Sequence, residues 1–216
     1  MKTLLFQGDS ITDCGRQSCG GAGFPLNQWG PGYPGLIASR LMGDQPGKWN
    51  IINRGISGNR IVDLYARWRI DGINLQPDII SILIGINDVL HEKSNHNGVD
   101  LKRFDQFYRM ILDWTLEALP SVKFILMEPF AMTADHFDAG YFDASWLPEI
   151  ARRRDAVRKI AEDYHTAFVP LQSVFDEALA AAPAKYWMVD GVHPQPAGHR
   201  LVEKAWFAAA ADLLKD

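Results

Sequence analysis

Cysteine is scarce in this chain of 216 residues, where only Cys14 and Cys19 occur. Two cysteines are too few for the disulfide framework of a small secreted protein, and no second Cys or His pair follows at metal-ligand spacing. The sequence also contains no glycine fingerprint of a dinucleotide site. We therefore expect no metal, no cofactor and no structural need for a disulfide.

Long apolar runs and an excess of positive charge are also lacking. The longest apolar stretch, residues 79–86, is far shorter than the ~20 residues needed to cross a bilayer, and no signal-peptide pattern follows Met1. The formal net charge of −4 argues against a nucleic-acid partner, because phosphate binding needs a basic face. The one basic run, residues 152–154, lies in a helical pattern and indicates a solvated helix face. We expect a cytoplasmic protein with neither a membrane nor a nucleic-acid partner.

The apolar residues are arranged for an α/β fold. With 47% hydrophobic and 22% charged residues, the chain can bury a core, and its length suits a single domain over residues 1–216. Short apolar runs predict strands, and amphipathic segments between them predict helices. The strands are expected at 4–7, 50–53, 78–84, 124–128 and 167–169, and the helices at 33–42, 61–68, 101–119, 148–164, 174–181 and 196–214. This alternation predicts a three-layer α/β/α sandwich around a five-stranded parallel sheet.

Three polar motifs follow the first three predicted strands. They read GDSIT from Gly8, RGISGN from Arg54 and GINDV from Gly85. Because the carboxyl ends of parallel strands lie at one edge of a sheet, these three loops should open onto the same site.

A nucleophile and its base are predicted from two distant segments. Ser10 follows the first strand, and a serine hydroxyl needs a base to accept its proton. Near the other end, the sequence VDGVHP places Asp190 and His193 three residues apart. One short loop can therefore supply an imidazole and a carboxylate that orients it. We predict Ser10 as nucleophile, His193 as base and Asp190 as the orienting acid.

Acyl transfer also needs hydrogen-bond donors for the oxyanion of the tetrahedral intermediate. Gly58 can offer a backbone N–H without side-chain obstruction, and Asn87 can offer a side-chain amide. The backbone N–H of Ser10 completes the predicted set.

Together these motifs resemble the GDSL or SGNH serine esterases, in order and across the whole chain. The resemblance implies a flavodoxin-like sandwich with the triad and oxyanion donors named above. It is greatest to intracellular carbohydrate acetyl esterases such as acetylxylan esterases, although Leu90 stands where those have tryptophan. It therefore implies removal of O-acetyl groups from decorated oligosaccharides through an acyl-enzyme.

Aromatic residues at the functional edge predict the substrate contacts. Trp29 and Tyr33 follow the nucleophile loop, and Trp187 precedes Asp190. Aromatic faces beside polar groups suit sugar rings, so we predict that these three side chains bind a small-molecule or oligosaccharide ester. Such aromatic loops are also compatible with a homo-oligomer.

Two other functions remain open from the sequence. A lysophospholipase or short-chain thioesterase would use the same chemistry, although no long apolar lid segment suits long acyl chains. A non-catalytic sugar-binding module would have no need of a triad. Asp9 and Asp88 are interpreted as loop-fixing carboxylates and His199 as a structural histidine. A zinc site at His91 and His96 is rejected, because five-residue spacing does not place both on one helix face.

Overall fold

The computed structural model describes residues 1–17, 27–132 and 144–215. Within these ranges the strands are β1 (Lys2–Gly8), β2 (Trp49–Asn53), β3 (Ile79–Leu83), β4 (Lys123–Met127) and β5 (Ala167–Val169). The helices are α1 (Ser10–Asp13), α2 (Tyr33–Asp44), α3 (Ile61–Asp71), α4 (Ile86–Asn95), α5 (Leu101–Ala118), α6 (Leu147–Asp163), α7 (Leu171–Ala178), α8 (Ala184–Trp187) and α9 (Pro196–Ala210). Short 3₁₀ turns occur at Ile73–Leu75 and Ala144–Trp146.

All five strands are parallel, in the order β2-β1-β3-β4-β5. This is the flavodoxin-like order of doubly wound sheets. Side chains alternate between two apolar cores, as the pleat requires. Leu4 and Phe6 pack in one core with α2, α7 and α9, whereas Leu5 packs in the other with α3, α5 and α6. The predicted three-layer α/β/α sandwich is confirmed.

Helix α4 is the main element that the sequence analysis does not predict. It begins directly after the β3 strand, and its first five residues, 86–90, are all buried. These five residues include the polar Asn87 and Asp88, so the burial of the whole turn breaks the apolar periodicity by which a helix is recognised in a sequence. Helix α7 begins three residues before its predicted start. The short helix α8 is not predicted from the sequence. Helix α9 ends at Ala210 rather than at the predicted residue 214.

The basic run on α6 is not a solvated face throughout. Arg153 is only 4% exposed, and its Nη2 donates a hydrogen bond to the Val99 carbonyl at 2.8 Å. Its Nη1 pairs with Glu149. The prediction of a solvated basic face is therefore wrong at Arg153, because its cation ties α6 to the loop before α5.

The carboxyl ends of β1 and β3 come very close together, and Gly8 makes this approach possible. A Cβ at Gly8 would lie 2.3 Å from the Leu83 carbonyl oxygen and 2.3 Å from Oγ1 of Thr12. The Gly8 carbonyl in turn accepts the N–H of Ile56 at 3.1 Å. The loops after β1 and β2 are thereby joined at one edge of the sheet.

Across the described ranges, no helix is both long enough and apolar enough to cross a bilayer.

Candidate active site

Ser10 and His193 are 183 positions apart in the chain, and the fold brings their side chains into contact. Ser10 Oγ lies 2.8 Å from Nε2 of His193. On the other side of the ring, Nδ1 of His193 lies 2.7 Å from Oδ2 of Asp190. Because a carboxylate only accepts, Nδ1 carries the proton and Nε2 is left as the acceptor that faces the serine hydroxyl.

The Asp190 carboxylate is held by its own loop. Its Oδ1 accepts the backbone N–H groups of Val192 at 3.0 Å and His193 at 2.8 Å. The loop is closed by a bond from the Val189 N–H to the His193 carbonyl at 2.8 Å. These contacts fix the carboxylate relative to the imidazole before any substrate binds.

The two side chains shift each other's pKa in opposite directions. Burial raises the pKa of Asp190, but the hydrogen bonds from His193 and Val192 outweigh it and leave the pKa below its ordinary value. The hydrogen bond to Asp190 raises the pKa of His193 above its ordinary value, against the opposing effect of burial. Asp190 is therefore ionised at neutral pH, and the imidazole is a stronger base than a free histidine.

Ser10 is the first residue of α1, and Asp9 caps that short helix. Oδ1 of Asp9 accepts the Ile11 N–H at 3.0 Å. Burial raises the pKa of Asp9 to about 7. As predicted, this carboxyl group accepts a loop amide and shapes the turn. The N–H of Ser10 lies at the helix start, where no helical carbonyl is available to accept it.

The loop that contains Gly58 is tied to the nucleophile helix. Oδ2 of Asp13 accepts both the N–H of Ser57 at 3.0 Å and its hydroxyl at 2.8 Å. Gly58 has φ +83°, in the left-handed region that favours glycine. Asp13 is not among the site residues predicted from the sequence, although an acid three residues after the serine is a recognisable signal.

Asn87 approaches the same loop from the first turn of α4. Its Nδ2 donates one hydrogen bond to the Asn59 carbonyl at 3.1 Å. A primary amide has two N–H groups, so one remains for another acceptor. Hydrogen bonds therefore link the segments that carry Ser10, Gly58 and Asn87, and the binding of an oxyanion by these three residues stays a prediction.

The aromatic residues predicted to contact substrate do not all reach the surface. Tyr33 is fully buried, and its hydroxyl lies 2.8 Å from Oγ1 of Thr12. The prediction of a substrate contact is wrong for Tyr33, because its ring belongs to the core beneath the nucleophile helix. Trp29 and Trp187 are partly exposed, and their contact with substrate stays a prediction.

The indole nitrogens of these two tryptophans bind the backbone. Nε1 of Trp29 donates to the Ile51 carbonyl at 2.7 Å, and Nε1 of Trp187 donates to the Ala182 carbonyl at 3.1 Å. Both rings pack against the core that contains Phe6. Substrate contact by either tryptophan would therefore use the ring face or edge rather than the indole N–H.

His199 lies beneath the nucleophile helix as a structural residue. Its Nδ1 accepts the Tyr33 N–H at 3.2 Å, and its Nε2 lies 3.4 Å from Sγ of Cys14. Burial lowers the pKa of His199 to about 4, so the ring is neutral at neutral pH. Cys19, the other cysteine, lies outside the described residues.

In residues 1–17, 27–132 and 144–215, no group of three or more His, Cys, Asp or Glu side chains is arranged to hold a metal ion.

Known proteins resemble this chain over most of its length. Residues 6–201 match the model of the GDSL-like lipase/acylhydrolase family. The acetylxylan esterase of Geobacillus stearothermophilus is 36% identical over 215 residues, covering 94% of this chain and 91% of that protein. The multidomain esterase of Ruminococcus flavefaciens is 26% identical over 187 residues, covering 85% of this chain and 21% of that protein.

Solved structures of known proteins also resemble this chain over nearly its full length. A protein of Parabacteroides merdae classed as a GDSL-like lipase superposes with a TM-score of 0.90 at 39% identity, covering 99% of this chain and 96% of its own. The acetylxylan esterase of Geobacillus stearothermophilus superposes with a TM-score of 0.82 at 32% identity, with coverages of 96% and 93%. Structures of that esterase include catalytic mutants in which a serine or an aspartate is replaced by alanine.

The family match spans most of the chain, and the curated acetylxylan esterase is related over nearly its full length. This chain therefore belongs to the GDSL-like lipase/acylhydrolase family and is a carboxylic ester hydrolase.

Proposed function

We propose that this protein is a serine esterase that removes O-acetyl groups from decorated oligosaccharides through an acetyl-enzyme on Ser10. The observation that carries the proposal is the 2.8 Å contact between Ser10 Oγ and His193 Nε2. Oδ2 of Asp190 lies 2.7 Å from Nδ1 of the same imidazole. A hydroxyl, a base and an orienting acid in this order are what nucleophilic acyl transfer requires.

The first half of the reaction acylates the enzyme. Ser10 Oγ attacks the acetyl carbonyl carbon while its proton passes to His193 Nε2, and the carbonyl electron pair moves onto oxygen. The N–H groups of Ser10, Gly58 and Asn87 bind that oxyanion. The tetrahedral intermediate then expels the sugar oxygen, which takes the proton from His193, and the acetyl group stays on Ser10.

The second half repeats these steps with water. His193 accepts a proton from water as the water oxygen attacks the acetyl carbonyl carbon. The same three donors bind the second oxyanion. When the intermediate collapses, the bond to Ser10 Oγ breaks, the serine recovers a proton from His193, and acetate leaves.

The ionisation of the triad suits this sequence of proton transfers. The ionised Asp190 stabilises the imidazolium that forms in each half-reaction, because opposite charges 2.7 Å apart attract strongly. The same contact raises the pKa of His193, so the ring accepts the serine proton more readily and still returns it to an alkoxide leaving group.

The choice of an acetylated sugar as substrate is supported by the relatives. The Geobacillus stearothermophilus protein is an acetylxylan esterase and covers nearly the whole chain. Family membership favours an enzyme over a non-catalytic sugar-binding module. The lysophospholipase alternative differs from the proposal in the length of the acyl chain, and the short-chain thioesterase alternative differs in its sulfur leaving group. Acyl-chain length and leaving group are therefore the properties to measure.

The test measures acetate release from acetylated xylo-oligosaccharides and compares aryl acetate with aryl octanoate. We expect acetate release and a preference for the acetyl ester, both lost in Ser10→Ala. A preference for octanoate would support a lipid esterase instead. Equal acetate release by Ser10→Ala would contradict the proposed mechanism whatever the substrate.

A further inference from the structure

His91 lies beside the proposed oxyanion donors, and the triad mechanism does not use it. It is on α4, four residues after Asn87. Residues at this spacing are neighbours on one face of a helix. Asn87 contacts the loop that contains Gly58 through the Asn59 carbonyl, so His91 is directed along the same side of that loop.

The backbone of Gly58 shows how close this imidazole is. A Cβ atom built on Gly58 would lie 4.0 Å from Cε1 of His91, which is the nearest heavy atom in the described part of the chain outside Gly58 and its two chain neighbours. The ring therefore forms the wall next to a proposed oxyanion donor. An ester whose carbonyl oxygen binds the N–H of Gly58 would have its neighbouring groups within reach of this wall.

Both ring nitrogens of His91 are available for a ligand. Within the described part of the chain, neither nitrogen has a hydrogen-bond partner, and the side chain is partly exposed. By contrast, the triad histidine His193 is held at both nitrogens. A partly exposed imidazole with two unused nitrogens beside a reaction centre is suited to bind a polar group of the substrate.

The charges around His91 favour a neutral ligand. Burial lowers the pKa of His91, and the nearby Arg60 guanidinium lowers it further, so the ring is neutral at neutral pH. Arg60 itself is occupied by Asp63, with contacts of 2.9 and 3.0 Å, and by the Asn97 carbonyl at 2.6 Å. A neutral imidazole offers one donor and one acceptor, the pattern that a hydroxyl group matches.

We propose that His91 binds a hydroxyl group of the sugar that carries the acetyl ester, and so selects polyhydroxylated alcohols over simple ones. The inference rests on the proposed function, because it assigns His91 to the same site and the same reaction. It adds a substrate-binding residue that the triad and the oxyanion donors do not include.

The experiment compares monoacetylated methyl xylosides with deoxy analogues that each lack one free hydroxyl. The enzymes are the native protein, His91→Phe, which keeps a ring without nitrogens, and His91→Ala. In the native enzyme, loss of the contacted hydroxyl should lower kcat/KM about fivefold, as expected for one lost hydrogen bond. In both variants that difference should disappear, and kcat/KM for the complete xyloside should fall more than kcat/KM for 4-nitrophenyl acetate.

His96 provides the matched control, because it is exposed at the C-terminal end of the same helix. Its φ of +55° is tolerated by asparagine, so His96→Asn should behave as the native enzyme with every xyloside. Labelling of Ser10 by a fluorophosphonate shows that each variant keeps a working nucleophile.

The outcomes separate the two proposals. A native enzyme that cleaves 4-nitrophenyl acetate but no acetylated xyloside would overturn the sugar-ester function itself. If the native enzyme cleaves the xylosides and the His91 variants discriminate among the deoxy analogues as it does, only the assignment of His91 is overturned. Equal losses on xyloside and aryl acetate would also overturn it, because they indicate a structural role.

Discussion

Asp190 holds His193 through both of its carboxylate oxygens. Oδ2 lies 2.7 Å from the ring Nδ1, and Oδ1 accepts the backbone N–H of the same residue at 2.8 Å. Through the backbone N–H of His193, the carboxylate fixes the position of the imidazole. Through the ring Nδ1, it fixes the tautomer. A three-residue spacing in one loop makes this double contact possible without help from the rest of the fold.

This contact predicts the acid limb of the pH profile. His193 must be neutral to accept the Ser10 proton, and Asp190 raises its pKa. Activity should therefore be lost as pH falls through a value above the ~6.5 of an unperturbed histidine. In Asp190→Asn the imidazolium loses its partner, so the acid limb should move to lower pH and kcat should fall about 10³–10⁴-fold.

The measurements are kcat and kcat/KM for a small acetate ester between pH 4.5 and 9. Asp212→Asn is the control, because Asp212 is exposed near the C-terminus and its substitution should leave the profile unchanged. If the pH at which activity is lost does not change when Asp190 is replaced, a group other than the His193–Asp190 pair determines the acid limb.

Asn87→Ala should lower kcat without weakening substrate binding. The free N–H of the Asn87 amide is proposed to bind an oxyanion that exists only after attack, so its loss affects the transition state alone. Removal of one such donor costs about 10²–10³-fold in turnover. Steady-state kinetics of Asn87→Ala on an aryl acetate would test this, and a change in KM at constant kcat would contradict it.

Gly8→Ala should destabilise the protein. The added methyl group would meet the Leu83 carbonyl oxygen at 2.3 Å, and neither backbone can move without disturbing the β1–β3 pairing. We expect the free energy of unfolding to fall by about 2–3 kcal/mol. Denaturant titration measures this change.

Gly43→Ala is the matched control for that substitution. Gly43 lies in α2, and a Cβ there would meet no heavy atom of the described residues within 4 Å apart from its chain neighbours and the backbone of its own helix. Since alanine favours helix over glycine, stability should be unchanged or raised by up to about 1 kcal/mol. Equal changes in the free energy of unfolding for the two substitutions would show that the close approach at Gly8 does not determine the loss of stability.

Tyr33→Phe should affect stability but not substrate binding. It removes the hydroxyl that lies 2.8 Å from Thr12 Oγ1 in the core, at a cost of about 1 kcal/mol. Tyr186→Phe is the comparison, since Tyr186 is 58% exposed and its substitution should leave stability unchanged. A several-fold rise in KM for acetylated xylo-oligosaccharides in Tyr33→Phe would contradict a purely structural role.

The sequence predicts the sheet and the triad because both depend on local signals. Each buried strand is a short apolar run with β-branched residues, and parallel topology places the loops that follow the strands at one edge. The pair Asp190 and His193 is recognisable because three-residue spacing confines both to one loop. Ser10 is then assigned by the requirement for a nucleophile at the same edge.

The errors occur where tertiary packing decides the outcome. Tyr33 carries a polar hydroxyl that can be satisfied in the core, and only the position of Thr12 shows that it is. Arg153 is buried because the Val99 carbonyl, 54 positions away in the sequence, lies close to it in space, which its basic neighbours do not reveal. His91 could not be placed beside Gly58 before α4 was known to be a helix, since the helix spacing from Asn87 defines its direction.

The most direct test of the account is identification of the acyl-enzyme by mass spectrometry. The protein is mixed with an excess of an activated acetate ester, quenched in acid and digested, and the peptide that contains Ser10 is analysed. An acetyl group is expected on Ser10 in the native enzyme and in Asn87→Ala, and none at this position in Ser10→Ala, which should also lose acetate release. Turnover by Ser10→Ala at the native rate, with no acetyl group on Ser10 in the native enzyme, would contradict it.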